Sequence, residues 1–427
     1  MARSEQHRFL ATVFGFAIAV LAGLFVLTSW MAPAAHAQTF TVLHTFTGAA
    51  DGAVPGGAGL TIDRGGNLYG GTDFGGLGGC YAGSCGVVYK LSHKGAGWTF
   101  NTLYEFNGAD GATPDAPLAF GPDGALYGTT YYGGHNDIGV LYKLQPPPGS
   151  CKSAQCPWIE TVVHSFTGAD DGSQPAFGAL SFDSAGNIYG TAAFGGADRD
   201  GTVFEVSPYY GQWVFKTLWT FTGYSDGANP WSGVIFDSAG NLYGTTTDGG
   251  NYNGGAAYEL TPSAQGWNLT TLHQFEPSTD GNQSFGNLIF DSSGELLGTN
   301  RYGGAGDGGG VFKLTPYNDS WEFGVLYSFT GQNGPQASLA MDPSGNLYGT
   351  SVEGGQYGVG FVFKMTPSGS GYTCSVLHNF TGGTDGGYPY GQIVLDANGN
   401  LYGATEGGGM KSGYCSDGCG VVWEITP

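Results

Sequence analysis

Short apolar runs separated by glycine-rich turns recur from Thr39 to Pro427, and each recurrence holds four of them. The first run is brief and nearly all apolar, as in Leu60-Thr-Ile62, Leu180-Ser-Phe182 and Val234-Ile-Phe236. Without alternation, such a run predicts an inner strand buried on both faces. A turn of the form Asp183-Ser-Ala-Gly186-Asn187 follows. Its Asp can bond the backbone two residues on and its Gly accepts a left-handed conformation, so these aspartates are structural. Then comes Leu-Tyr-Gly-Thr-Thr or a variant, a second strand whose glycine marks a place where a neighbouring sheet approaches too closely for a side chain. The third run alternates, as in Val203-Phe-Glu-Val206, and a Thr-Pro or Ser-Pro turn leads to Trp98, Trp158, Trp213, Trp267, Trp321 or Tyr372 at the head of the fourth.

The glycine of the second strand recurs at Gly70, Gly128, Gly190, Gly244, Gly298, Gly349 and Gly403, 51 to 62 residues apart. That period fits one four-stranded blade. The chain after the leader opens with a lone fourth strand, Thr39 to Phe46, and the last repeat stops after its third strand. A linear array would expose an edge at each end, whereas in a ring the first strand completes the last blade. The expected fold is therefore all-β: a seven-bladed propeller over residues 38–427, closed by residues 39–46 beside 420–426.

Residues 1–37 read as a signal peptide, with Arg3 and Arg8 flanking an apolar run and Ala35-His36-Ala37 as the cleavage site. Residues 9–30 are also long enough to anchor the chain in a membrane if uncleaved. The protein is expected to be secreted or on the cell surface, and a monomer. A net charge of −21 argues against nucleic acid as a partner. Six of the seven cysteines form close pairs, Cys80 with Cys85, Cys151 with Cys156 and Cys415 with Cys419, which in an exported chain predict local disulfides. Cys374 takes a slot filled by Phe100, Phe215, Leu269 and Phe323 elsewhere and is read as packing. His44, His164, His273 and His378 interchange with Tyr104, Trp219 and Tyr327, so they too are packing residues. No metal or cofactor is expected.

The order Asp-x-x-Gly-Asn-Leu-Tyr-Gly-Thr-Thr, paired Gly, Gly-x-Val-Phe-Lys-Leu-Thr-Pro and Leu-His-x-Phe-Thr-Gly-x-x-Asp-Gly resembles the GloVer tandem repeat of bacterial "choice-of-anchor" exported proteins. The likeness runs over the whole chain after the leader. It implies export and a variable anchor, and brings no activity with it. The paired glycines, aromatic strand and Trp are also similar to kelch repeats. Kelch-type oxidases hold copper between tyrosines and histidines, and no unrepeated histidine pair matches that here.

In a propeller the second-to-third-strand loops and the linkers between blades open on one face. Just before the paired glycines on that face the repeats stop agreeing. The residues there include Asp73, Phe74, Tyr131, Tyr132, Phe194, Asp248, Arg301, Tyr302, Glu353 and Glu406. Aromatic faces among carboxylates suit sugar rings. The sequence thus favours a non-enzymatic scaffold that binds a glycan or cell-surface protein through these residues, with no catalytic residue assigned. The alternative is a polysaccharide hydrolase or lyase drawing an acid pair from Asp73, Asp248, Glu353 and Glu406.

Overall fold

The computed structural model describes residues 38–427 except 58, 77, 81–83, 96, 150–156, 319, 332–333, 370 and 414. The leader lies outside the described residues. So does the disulfide expected between Cys151 and Cys156: neither Cys151 nor Cys156 is among the described residues. Among those described, the strands form seven antiparallel four-stranded sheets. Blade 1 holds Thr61–Ile62, Leu68–Thr72, Val87–Lys94 and Gly97–Glu105 in that order from the axis outward. Blade 7 takes Val394–Leu395, Leu401–Thr405 and Val421–Thr426 from the end of the chain, and Thr39–Thr45 from its start completes the sheet. Phe46 N–H continues this closure by donating to Gly420 O at 3.1 Å.

The inner strands are only two residues long and half-buried, not enclosed on both faces, because one face lines the central channel. Second strands are wholly buried. Their glycine is required by the same blade and not by its neighbour. Gly70 pairs across the ladder with Tyr89, and a Cβ there would lie 2.5 Å from the Tyr89 hydroxyl. In blade 7 a Cβ on Gly403 would lie 2.2 Å from the Trp423 ring. The large third-strand ring folds over the glycine and fills the space between sheets.

Turn aspartates do what the sequence implied. Asp183 accepts from the N–H groups of Ala185 and Asn187 at 2.9 Å, and from the Asn187 amide at 2.7 Å.

Outer strands meet through stacked rings. His44 stacks on Phe100 of the next blade at 4.1 Å, His164 on Phe215 at 4.1 Å, His273 on Phe323 at 4.0 Å, and His378 on Phe40 at 3.8 Å. Cys374 fills this slot in blade 6, half-buried, where burial pushes its thiol up to about 11. In blade 2 the slot holds Glu160, opposite Leu144 as Phe100 is opposite Leu91. Its Oε1 is buried without a partner among the described residues, and burial followed by the charge of Asp110 pushes the carboxyl up to about 7. A carboxyl raised on folding contributes its full stability below its unfolded value and loses it as pH rises through about 7. Glu160→Phe is accordingly expected to stabilise the propeller by about 1 kcal/mol at pH 8, allowing for solvent screening, and by less at pH 5. Urea midpoints of both proteins at the two pH values measure this; a gain that shrank toward pH 8 would contradict it.

Candidate functional site

Linkers between blades carry the chain from the outer strand back to the axis, and in all but the linker after Phe329 an Asp fixes the turn. Asp51 accepts from Thr47 N–H at 3.0 Å and lies 3.2 Å from His44 Nε2. His164 and Asp171 meet at 2.9 Å, His273 and Asp280 at 2.8 Å, His378 and Asp385 at 3.1 Å. Tyr104 donates to Asp110 at 2.6 Å and Trp219 Nε1 to Asp226 at 3.4 Å. Burial opposes ionisation of Asp51 and Asp171, but their His and Thr bonds outweigh it and hold both below the ordinary range. These aspartates are occupied by the fold.

In five linkers the residue before the proline takes a left-handed conformation: Val54 at φ 60°, Thr113 at 57°, Gln174 at 54°, Asn229 at 56° and Tyr388 at 59°. Such strain in non-glycine residues needs compensation. It comes from the preceding blade: Val54 N–H donates to Cys419 O at 2.9 Å, Thr113 to Cys85 O at 2.9 Å, Asn229 to Asp200 O at 2.8 Å and Tyr388 to Val359 O at 2.8 Å. Each of these residues precedes a proline, after which the chain runs toward the axis. Gly57, Phe177, Phe285, Gln336 and Tyr390 share one cavity there, contributed by five different linkers.

An acidic cluster lies beside this cavity, next to Gly57. Asp73 of blade 1, Asp115 of the linker into blade 2 and Glu406 of blade 7 come together around the bare backbone of Gly56 and Gly57. A Cβ on Gly56 would lie 2.0 Å from Glu406 Cγ, and one on Gly57 1.6 Å from Asp115 Oδ1. Where four other linkers carry Phe177, Trp231, Phe285 or Tyr390, the linker into blade 1 carries two glycines, and the carboxyls occupy that space. Asp115 is only 7% exposed, and the Oδ1 atoms of Asp73 and Asp115 have no hydrogen-bond partner among the described residues. Burial pushes Asp73 up to about 7. Burial and then the charge of Asp73 push Glu406 up to about 8, with Arg301 pulling the other way. Asp115 is raised well above the ordinary range by burial and then by Asp73 and Glu406. Three carboxyls this close cannot all ionise, so the cluster holds protons at neutral pH.

Aromatic rings lie beside the cluster. Tyr131 and Trp231 lie parallel at 6.0 Å, and Phe177, Phe194 and Phe285 pack around Trp231 at 5.4, 5.3 and 6.3 Å. The Arg301 guanidinium sits among the rings of Tyr302 at 4.9 Å, Tyr390 at 5.5 Å and Phe285 at 5.9 Å, with its Nε unpartnered among the described residues. Gln336, 5% exposed, leaves its Oε1 unpartnered among the same residues, in the same cavity. Buried polar atoms without partners are rare and call for an explanation, and ligand binding is one.

The sequence-derived residues divide accordingly. Asp73, Tyr131, Phe194, Arg301 and Glu406 lie around the cavity without lining it, and Tyr302 packs on Arg301. Glu353 acts on it only through its charge near Tyr390. Asp248 is held by the Thr247 hydroxyl at 2.7 Å and is not among the charges that perturb the acidic cluster. Phe74 and Tyr132 point away, toward a cleft between blades 1 and 2. Asp115, Phe177, Trp231, Phe285, Gln336 and Tyr390 were missed. Of the three expected disulfides, Cys80–Cys85 and Cys415–Cys419 form, in the loops of blades 1 and 7. The third, of Cys151 with Cys156, falls outside the described residues. No group of His, Cys, Asp and Glu among the described residues is arranged to hold a metal ion. Among the same residues no helix is long and apolar enough to cross a membrane.

The Gloeobacter/Verrucomicrobia repeat matches residues 29–156, 155–334 and 319–427. The chain belongs to this family. No curated protein matches this Gloeobacter/Verrucomicrobia repeat chain in sequence. Solved structures of similar architecture include a gluconolactonase of Xanthomonas campestris, 12% identical, covering 91% of this chain and 89% of its own at TM-score 0.39. A candidate 6-phosphogluconolactonase of Bacteroides uniformis is 15% identical over 75% of this chain and 83% of its own, at TM-score 0.48. A protein of unknown function from Dyadobacter fermentans is 13% identical over 90% and 96%, at TM-score 0.45. These likenesses are of fold, and no substrate or residue role carries over from them. They do correct one expectation: with enzymes among the similar propellers, the leaning toward a chain without catalytic activity does not stand.

Proposed function

We propose that this protein is an exported glycoside-cleaving enzyme whose active site is the acidic cluster beside the central cavity, acting on a neutral polysaccharide. The observation that supports it is the gathering of Asp73, Asp115 and Glu406, all raised above the ordinary carboxylate range, beside a set of aromatic rings. Hydrolysis of a glycosidic bond needs one carboxyl that keeps its proton and one that has lost it. Glu406 is the acid: it gives its proton to the leaving oxygen as the C–O bond breaks. Asp73, with the lower of the two values, is the base: it takes a proton from the water that attacks the anomeric carbon. Asp115 keeps both values high by its own burial and charge. Sugar C–H faces would stack on Tyr131, Phe177 and Trp231, and Arg301 and Gln336 would bond hydroxyls. An acidic cluster on a chain of net charge −21 disfavours polyanionic substrates.

Reducing-end release from a panel of neutral polysaccharides (glucans, xylans, mannans and galactans) by the purified chain tests the reading. At least one is expected to be cut by wild type and not measurably by Asp73→Asn. A panel left uncut, or cut equally by the variant, would overturn it.

A further inference from the structure

A cleft separates blades 1 and 2 on the same face, with a cavity of about 810 Å³, in the size range of small-molecule sites. Phe74, Cys80, Asn107, Ala109 and Tyr132 line it. Its position follows from strand alternation. Asp73 and Tyr131 lie toward the central cavity, so Phe74 and Tyr132, next along the chain, face the other way. Isolated bridges from Phe74 to Ala53 and from Tyr132 to Ala112 fix both backbones to the linkers beneath. Tyr131 and Tyr132 meet edge to face at 4.5 Å, so one pair of rings joins the two compartments.

Three features make the cleft a built site and not a gap between sheets. The Cys80–Cys85 disulfide holds its outer wall: Thr113 N–H donates to Cys85 O at 2.9 Å, and Cys80 Sγ would lie 2.9 Å from a Cβ on Gly108. Tyr132 is 44% exposed, with a ring face available at the mouth. Ser84, only 5% exposed and lining the cavity, has an Oγ with no partner among the described residues. An aromatic face beside an unpartnered hydroxyl is what a sugar ring requires.

We propose that this cleft is an accessory glycan-binding site that takes further sugar units of the chain being cleaved, making the protein selective for oligomers over single glycosides. The inference rests on the reading of the acidic cluster as glycoside-cleaving. Tyr132 supplies the stacking platform, Ser84 a hydroxyl partner, and the disulfide keeps the wall in place.

The test compares kcat/KM on a six-unit oligosaccharide of the cleaved series with kcat/KM on the aryl glycoside of its single sugar. Tyr132→Ala, and separately Ala109→Trp, which fills the cleft, are each expected to lower the ratio about tenfold, the worth of one stacking contact. An unchanged ratio in both variants would overturn the accessory site while leaving the catalytic reading in place. If wild type cuts nothing, the catalytic reading fails by itself. Calorimetric titration of gluco-, xylo- and manno-hexasaccharides into wild type and the two variants then decides the cleft: binding by wild type weakened in both variants supports it, and equal or absent binding sinks it.

Discussion

Glu406→Gln is expected to lower kcat on the cleaved polysaccharide by about two to four orders of magnitude, the usual contribution of a positioned general acid. Gln keeps the shape of Glu and cannot supply the proton. Stability should not fall with it, because Glu406 is raised to about 8 by burial and Asp73, so its charged form costs the fold free energy at high pH. The sign is that of a raised carboxyl: its contribution is intact below the ordinary Glu value and lost as pH climbs through about 8. The variant should therefore gain on wild type in urea midpoint as pH rises from about 4.5 to about 8. In wild type the rate should be bell-shaped, falling below about 7 as Asp73 takes up its proton and above about 8 as Glu406 loses its own. Gly56→Ala gives an independent handle, since its Cβ would lie 2.0 Å from Glu406 Cγ and must displace that side chain. It should depress activity with every carboxyl still present. A Glu406→Gln enzyme with undiminished kcat would remove Glu406 from the acid role.

Asp73 and Glu406 could be singled out in the sequence because the repeats disagree just before the paired glycines, and disagreement on a repeated scaffold is a signal. The same signal existed one slot further on. After Pro114, Pro230, Pro335 and Pro389 stand Asp115, Trp231, Gln336 and Tyr390, as unlike one another as the residues that were noticed. They were passed over because the preceding Asp-Gly is so regular that the linker reads as a turn and nothing more. Which carboxyls meet could not be read at all. It depends on Gly56 and Gly57 leaving room in blade 1 and on blades 7, 1 and 2 being consecutive around the ring. Asp248, as polar as its counterparts, falls outside because its own Thr247 holds it. The blade count and ring closure were legible from strand bookkeeping alone. The four histidines were legible as packing, but not as hydrogen-bond partners of Asp, since the Asp that each meets lies seven residues on across a turn. The second-strand glycine was placed correctly and explained wrongly, because a periodic pattern does not say which neighbour crowds a position.

Phe46→Ala is expected to cost about 3–5 kcal/mol, a large part of the total stability of a typical domain. Phe46 is fully buried and packs edge to face with Tyr89 at 5.2 Å and Phe100 at 5.8 Å, which belong to blade 1. Phe166 does the same job between blades 2 and 3, with Phe204 at 5.5 Å and Phe215 at 5.8 Å, so the local loss in Phe166→Ala should be similar. The difference lies in how each strand is tied to its sheet. Phe166 follows an outer strand, Ile159–Ser165, that comes next in the chain after the third strand of its own blade, whereas Phe46 follows Thr39–Thr45, which reaches its sheet only by pairing with Val421–Thr426. Loss of the anchor at Phe46 therefore releases a whole strand and leaves the edge of Val421–Thr426 bare, open to pairing with a second molecule. Both variants should show a lowered urea midpoint. Only Phe46→Ala should expose amides of residues 40–45 to fast hydrogen exchange and form dimers or larger species on a sizing column. Matching exchange and sizing behaviour in the two variants would mean that the seam is no weaker than any other junction in the ring, and that pairing across it does not depend on this side chain.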